Sequence, residues 1–198
     1  MNKTLLLAGI ATCLFAANAN AVESTPYVGA KLRYVDMTSK YTEPGYSFDL
    51  DDKVMGGSIA IGSSIKTNNG AIRAELEYNR NENAEKNLYG IVKTEIETQS
   101  IMLNAYYDID TGTNLTPYIG GGLGYAKVKG KMAATGISGS MDDNNFAWQL
   151  GIGVGYTLTN HVSIDAGYRY VDYGDFSEED IKLDTSANEL YLGARYSF

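Results

Sequence analysis

The residues of this chain whose types could do chemistry sit at every second position. Arg73, Glu75 and Glu77 alternate with Ile72, Ala74, Leu76 and Tyr78. Lys31 and Arg33 are set among Ala30, Leu32 and Tyr34; Asp165 and Arg169 among Ile164, Ala166, Tyr168 and Tyr170; Glu189 and Arg195 among Leu190, Leu192, Ala194 and Tyr196. Paired carboxylates such as Glu75 and Glu77 can exchange protons with a substrate when a sheltered cleft holds them. Here Arg73 stands beside them, and the nine charges come to five positive and four negative. Mutual pairing is therefore the expectation, because a buried charge is tolerable only when paired and hydrogen-bonded.

Two other candidates for chemistry are weaker. His161 is the only His. It lies in the short segment Thr157–His161, without the sheltered nucleophile or acid that catalysis needs, and reads as a solvated turn residue. The stretch holding Asp172, Asp175, Glu178, Glu179, Asp180 and Asp184 offers carboxylate oxygens to a hard cation. Its spacing matches no calcium loop, and acidic runs of this kind are ordinarily solvated. No catalytic residue, metal or cofactor is expected.

The elements that position the charges follow from the same alternation, since a period of two means a strand with different surroundings on its two sides. Eight strands are predicted, at about 27–35, 54–65, 71–79, 94–109, 116–128, 145–156, 162–170 and 187–198. The segments between them run long, short, long, short, long, short, long. The long ones are 36–52, with Pro44-Gly45 as a turn signal, 80–92, 129–144 and 171–186. The short ones are 66–70, where Asn69-Gly70 is a hairpin signal, 110–115 and 157–161. Sorting of this kind places every long connection at one end and every short one at the other. An even number of antiparallel strands closes without an edge, as a bilayer requires. The fold class is all-β: an eight-stranded antiparallel up-and-down transmembrane β-barrel.

In such a barrel the alternating apolar residues meet lipid and the charged face turns inward. Strands five and six present glycines inward instead: Gly120, Gly122, Gly124, Gly151, Gly153 and Gly155. Long charged side chains are expected to extend from the other walls over this bare one. An eight-stranded barrel is only wide enough for side chains to fill, so the expectation is a salt-bridged plug; the rival is a narrow solvated channel along the glycines. Aromatic residues near the strand ends suggest interfacial girdles. Tyr27, Tyr107, Tyr118, Tyr156, Tyr196 and Phe198 are assigned to one rim, and Tyr34, Tyr78, Tyr125, Trp148 and Tyr170 to the other.

The N-terminus reads as a separate piece. Lys3, the apolar run Leu5–Ala17 and the small-residue site Ala19-Asn20-Ala21 form a secretory signal peptide, residues 1–21, leaving residues 22–198 as the barrel domain. Cleavage after Ala21 removes 21 of the 198 residues and leaves 177. It also removes the single Cys, Cys13, so no disulfide supports the fold. Loss of Lys3 takes the formal charge from −8 to −9, which excludes a nucleic-acid-type basic footprint. No other stretch holds eighteen successive apolar residues, which excludes a helical membrane protein.

The segments PYIGGGLGYAKV, AGYRYVDYG and NELYLGARYSF resemble the opacity-protein group of small outer-membrane barrels, akin to outer membrane proteins A and X. The resemblance covers nearly the whole mature chain and implies a bacterial outer-membrane location in a Gram-negative cell. It implies that the terminal aromatics, Tyr196 and Phe198, are read by the barrel-assembly machinery. It further implies a structural, adhesin-like or antigen-like role through four extracellular loops, with a host or surface ligand as candidate partner; the alternative is a small-solute porin. A lipid A enzyme of the envelope is the weakest reading, because His161 falls at the periplasmic end. Lipid and lipopolysaccharide are expected partners, with Lys127, Lys129 and Lys131 placed to meet phosphates. The protein is expected to be a monomer without an attached periplasmic domain. N-terminal sequencing of the protein recovered from outer membranes should begin at Val22; a sequence beginning at Met1 would show that Ala19 and Ala21 do not direct cleavage.

Overall fold

The computed structural model describes residues 24–43, 46–81, 84–88, 92–134, 137–178 and 181–198. They form nine strands: β1 (Ser24–Glu43), β2 (Tyr46–Thr67), β3 (Gly70–Asn81), β4 (Ala84–Leu88), β5 (Val92–Ile109), β6 (Leu115–Ala134), β7 (Ile137–Thr157), β8 (Val162–Glu178) and β9 (Ile181–Ser197). Each strand pairs antiparallel with its neighbours in the order β3-β2-β1-β9-β8-β7-β6-β5, and β3 also pairs with β5. That last seam, running from Gly70↔Ile109 to Arg80↔Gln99, closes eight strands into a cylinder. The ninth, β4, is a short flap on β5, paired from Ala84↔Ile96 to Leu88↔Val92.

The strands outrun their sequence signals at one end only. β1 and β2 stay paired to Glu43↔Tyr46, β6 and β7 to Ala134↔Ile137, and β8 and β9 to Glu178↔Ile181. The segments expected as long loops are thus largely two-stranded ribbons. A spanning strand needs about 9–11 residues, whereas β1 has 20 and β7 has 21. About ten residues, roughly 30 Å of strand, therefore extend past the span. Backbone pairing persists there, but both faces of a ribbon in water are wet, so the apolar half of the alternation disappears from the sequence. The expected Pro44-Gly45 turn lies outside the described residues, as do the signal peptide and its Ala19 and Ala21.

At the other end the connections are tight. Residues 68–69 turn β2 into β3. Asp110 caps the next turn by accepting the Gly112 N–H at 2.8 Å, and Gly112 takes φ +68°, a left-handed conformation natural to glycine. Thr159 Oγ1 accepts the N–H groups of His161 and Val162. The end of β9 is tied on both sides: Ser197 N donates to His161 O at 2.8 Å, and Phe198 N to Pro26 O at 3.1 Å.

Side chains sort by parity as the alternation requires. Leu32, Ile59, Leu123, Tyr125, Leu150 and Leu192 point outward, Leu32 being 67% and Tyr125 61% exposed. A continuous apolar belt of this size is untenable in water and matches a hydrocarbon surround. Inward, residues facing each other across the ladder are graded in size. Tyr27 pairs with Gly62, Tyr106 with Gly120, Tyr118 with Gly153, and Tyr191 with Gly167. A Cβ built on any of these four glycines would come within 2.6 Å of its partner's ring. Glycine is required at these positions because a Cβ would meet both the tyrosine ring and a cross-strand carbonyl oxygen, the latter at 2.6–2.8 Å.

Gly153→Val should therefore lower the urea midpoint of the folded barrel, at a cost of about 1–3 kcal/mol for overpacking. Gly57→Ala, where a Cβ finds only the Lys31 carbonyl oxygen at 3.8 Å, should leave the midpoint unchanged. Equal midpoints for the two variants would refute the packing of ring on glycine.

Candidate functional site: the barrel interior

The interior is built in tiers along the barrel axis. Nearest the tight turns, Arg195 Nε and Nη2 grip Asp165 Oδ2 and Oδ1 at 2.6 and 2.8 Å, and Arg73 Nε reaches Asp108 Oδ2 at 2.7 Å. The Arg73 guanidinium lies 4.6 Å from the Tyr106 centroid and 4.8 Å from that of Tyr118, within cation–π range of both rings. Tyr118 and Tyr191 share a hydrogen bond at 2.9 Å.

The middle tier is one linked set of ions. Lys31 Nζ meets Glu75 Oε1 at 2.8 Å and Glu77 Oε1 at 3.2 Å. Arg169 meets Glu77 Oε2 at 2.8 Å and Glu189 Oε2 at 2.6 Å, and Arg33 Nη1 meets Glu189 Oε1 at 2.9 Å. Neutral groups satisfy the remaining valences. Ser58 and Asn104 donate to Glu77, Tyr27 to Glu75, and Tyr173 to Glu189. Arg169 Nη2 donates to Asn79 Oδ1 at 2.9 Å, and Arg33 Nη2 to Asn81 Oδ1 at 2.8 Å. Two buried nitrogens, Arg33 Nε and Arg73 Nη2, have no hydrogen-bond partner among the described residues.

Beyond the ions, toward the ribbons, comes an apolar tier: Val35, Met102, Ala126, Ala147, Val171, Tyr173 and Ala187, with Met37 and Val54 against it. On β1 and β8 it is the next inward step after Arg33 and Arg169. Gly174, at φ +79°, marks a bulge in β8 between Asp172 and Asp175, and Asp172 Oδ1 accepts its N–H.

All nine charges singled out from the sequence meet an opposite charge, though not always the one their spacing suggested. Arg73 pairs with Asp108 rather than with Glu75 or Glu77, because β5 is its ladder neighbour: Arg73 stands opposite Tyr106, beside Asp108. With Asp108 included, the cations Lys31, Arg33, Arg73, Arg169 and Arg195 face the anions Glu75, Glu77, Asp108, Asp165 and Glu189, five of each. The signal for Asp108 was present in the sequence, both as the unmatched fifth cation and as the parity of β5. Ile101, Leu103, Ala105 and Tyr107 outward leave Met102, Asn104, Tyr106 and Asp108 inward.

Three further expectations change. Tyr27 and Tyr118 are not girdle residues; they are 2% and 5% exposed, inside the barrel. They share parity with the inward residues of their strands. The glycines of β6 and β7 are covered chiefly from the adjacent strand: Gly120 by Tyr106, Gly122 by Asn104, Gly124 by Met102 and Gly153 by Tyr118. A cross-strand partner is about 5 Å away, nearer than the opposite wall; only Gly151 and Gly155 lie under charged groups. The interior is also not polar throughout, since an apolar tier lies at its ribbon end.

His161 is exposed. Its Nδ1 lies 3.0 Å from Ser197 O, and its ring stacks on Tyr196, which meets Phe198 edge-on. Of the acidic stretch, the side chains of Asp175, Glu178, Glu179 and Asp180 lie outside the described residues, as do those of Lys129 and Lys131.

A closed antiparallel cylinder with a lipid-type exterior and an ion-paired interior defines a transmembrane β-barrel. The chain belongs to the outer membrane protein beta-barrel domain family, which matches residues 4–198, and it is an integral protein of the bacterial outer membrane. It is 32% identical over 125 residues to outer membrane protein PagN of Salmonella typhimurium, covering 54% of this chain and 52% of that one. Over 92 residues it is 30% identical to a candidate adhesin of Rickettsia conorii, covering 42% and 37%. Outer membrane protein P.IIC and an opacity protein of Neisseria gonorrhoeae also match, at 28% and 27% identity over 127 residues. The chain spans about half the length of PagN, the curated relative it matches over 125 residues. The crystal structure of neisserial surface protein A superposes with a TM-score of 0.62 at 25% identity, covering 89% of this chain and 99% of that one.

Asp108→Asn should strand Arg73 and cost about 3–5 kcal/mol of stability in urea unfolding from lipid vesicles. Arg73→Met combined with Asp108→Leu should recover most of that loss. A double variant no more stable than Asp108→Asn alone would show that the pair does not act as a unit.

Proposed function

We propose that the protein works as a non-enzymatic surface scaffold: a sealed barrel that holds its ribbons outside the cell for structural or adhesive contact with a host or surface ligand. The observation that carries this reading is the filled cross-section at Arg169. Arg169, Glu77, Glu189 and Arg33 are each no more than 4% exposed, so no bore wide enough for water passes among them. The apolar tier above adds a second barrier. Function then falls to what projects from the barrel, and the strands extend farthest where the short turns are absent. The adhesin-type name of the Rickettsia relative supports the same reading. In it the protein is a monomer without cofactor, residues 1–21 direct export, and Tyr196 and Phe198 serve the assembly machinery.

In planar bilayers the full-length protein should give no reproducible conductance steps; stable unitary steps would replace the scaffold with a small-solute porin. Replacing residues 38–51 and 130–141 by two-residue turns should reduce attachment of expressing cells to the level of cells lacking the protein, with the barrel still folded on gels. Unchanged attachment would overturn the adhesive role.

A further inference from the structure

We propose that the open edge of β2 beyond the membrane, residues 47–53, captures an extended, basic polypeptide segment by adding it to the sheet as a further strand. Such a segment is the partner of the adhesive reading above, on which this inference rests.

The last rung that β2 shares with β3 is Gly56↔Asn81. Beyond it the chain goes on as β4, which pairs with β5 from Ala84↔Ile96 to Leu88↔Val92. Among the described residues no strand is paired to that side of β2 from Tyr46 to Met55, while its other side stays paired to β1 as far as Glu43↔Tyr46. One hydrogen bond at the far end of β1 decides which backbone groups face the open side. Pro26 O accepts the Phe198 N–H, so Pro26 faces β9. In an antiparallel ladder successive residues turn their N–H and C=O groups to opposite neighbours. Even-numbered residues of β1 therefore face β9, and odd-numbered ones face β2. The unbroken β1–β2 register pairs odd with even, as in Val35↔Val54 and Met37↔Asp52, so the odd-numbered residues of β2 face away from β1. Two contacts agree. Gly57 O faces β3, where Arg33 Nη2 donates both to it and to Arg80 O. The Lys53 N–H goes to Asp52 Oδ1 at 3.1 Å. The open edge thus carries the N–H and C=O groups of Ser47, Asp49, Asp51 and Lys53, about 6.8 Å from one to the next.

Donors and acceptors at that repeat are matched by an extended backbone, which is the basis of recognition by strand addition. Charge then selects which backbone. Residues 46–55 hold Asp49, Asp51 and Asp52 against Lys53, a net −2. A charged edge keeps a second copy of the same strand away, because acidic segments would lie side by side. The same aspartates favour a strand of opposite charge, with Lys or Arg at alternate positions opposite Asp49 and Asp51.

The test uses the full-length protein in detergent and three fluorescent peptides: one of alternating Lys and Val, its Glu–Val counterpart, and the Lys–Val peptide with every amide N-methylated. Anisotropy reads the affinity. The plain Lys–Val peptide should bind at least about tenfold more tightly than either control. Asp51→Pro removes one edge N–H while sparing the β1 ladder, and should lower that affinity by at least about tenfold. Affinity that survives both N-methylation and Asp51→Pro, with the folded mobility kept on gels, overturns strand addition in favour of charge alone. Equal affinity for the Glu–Val peptide overturns the basic partner. A dimer in detergent that Asp51→Pro dissociates puts a second copy at the edge and overturns the peptide. Cell attachment separates this inference from the adhesive reading. Attachment lost in the ribbon replacement above, with peptide affinity indifferent to Asp51→Pro, overturns the edge and leaves adhesion standing. Peptide affinity that depends on Asp51, with attachment kept in the replacement, supports the edge and overturns adhesion.

Discussion

The seam between β3 and β5 is the constraint from which the rest of the molecule follows. A bilayer offers no partner to a free N–H or C=O, so a strand sheet survives there only when its two edges meet. Eight strands make the joint with eleven register pairs from Gly70↔Ile109 to Arg80↔Gln99. Once closed, the sheet has an inside whose width is fixed by strand number, and that inside must be filled by the chain's own side chains.

How it is filled shows two different physical solutions stacked along one axis. In the half nearest the tight turns, tyrosines lie on glycines of the next strand, so a large residue and an absent one share each rung. In the middle, ions fill the space, and their cost is offset by matching: three cations, three anions, and neutral donors at further carboxylate oxygens. The matching is distributed. Glu77 is shared by Lys31 and Arg169, and Glu189 by Arg169 and Arg33, so the two walls carrying β1 and β8 are joined across the barrel through β3 and β9. The apolar tier succeeds this set toward the ribbon end.

This division frees the exposed parts to vary. The barrel needs its glycines, tyrosines and ions in register, whereas a ribbon in water needs only backbone pairing. Sequence change is therefore cheap in the ribbons and costly in the wall, and a shared barrel with differing surface segments is the expected pattern for a family of this kind.

The sequence by itself determined eight strands, their inward and outward faces, the closed architecture and nine of the ten charged residues that pair within it. It could do so because one face meets lipid and the other does not, a contrast written at every second residue from Ile72 to Tyr78 or Phe146 to Tyr156. It did not determine the ribbons, since pairing in water leaves no apolar mark. Nor did it determine which ion meets which: Arg73 is two residues from Glu75 in the chain but binds Asp108, 35 residues away. Parity places Tyr27 and Tyr118 inside, yet only the register between strands sets each over its glycine. Partner choice is a matter of distance across a ladder, and that distance exists only after the strands have been aligned and the cylinder closed.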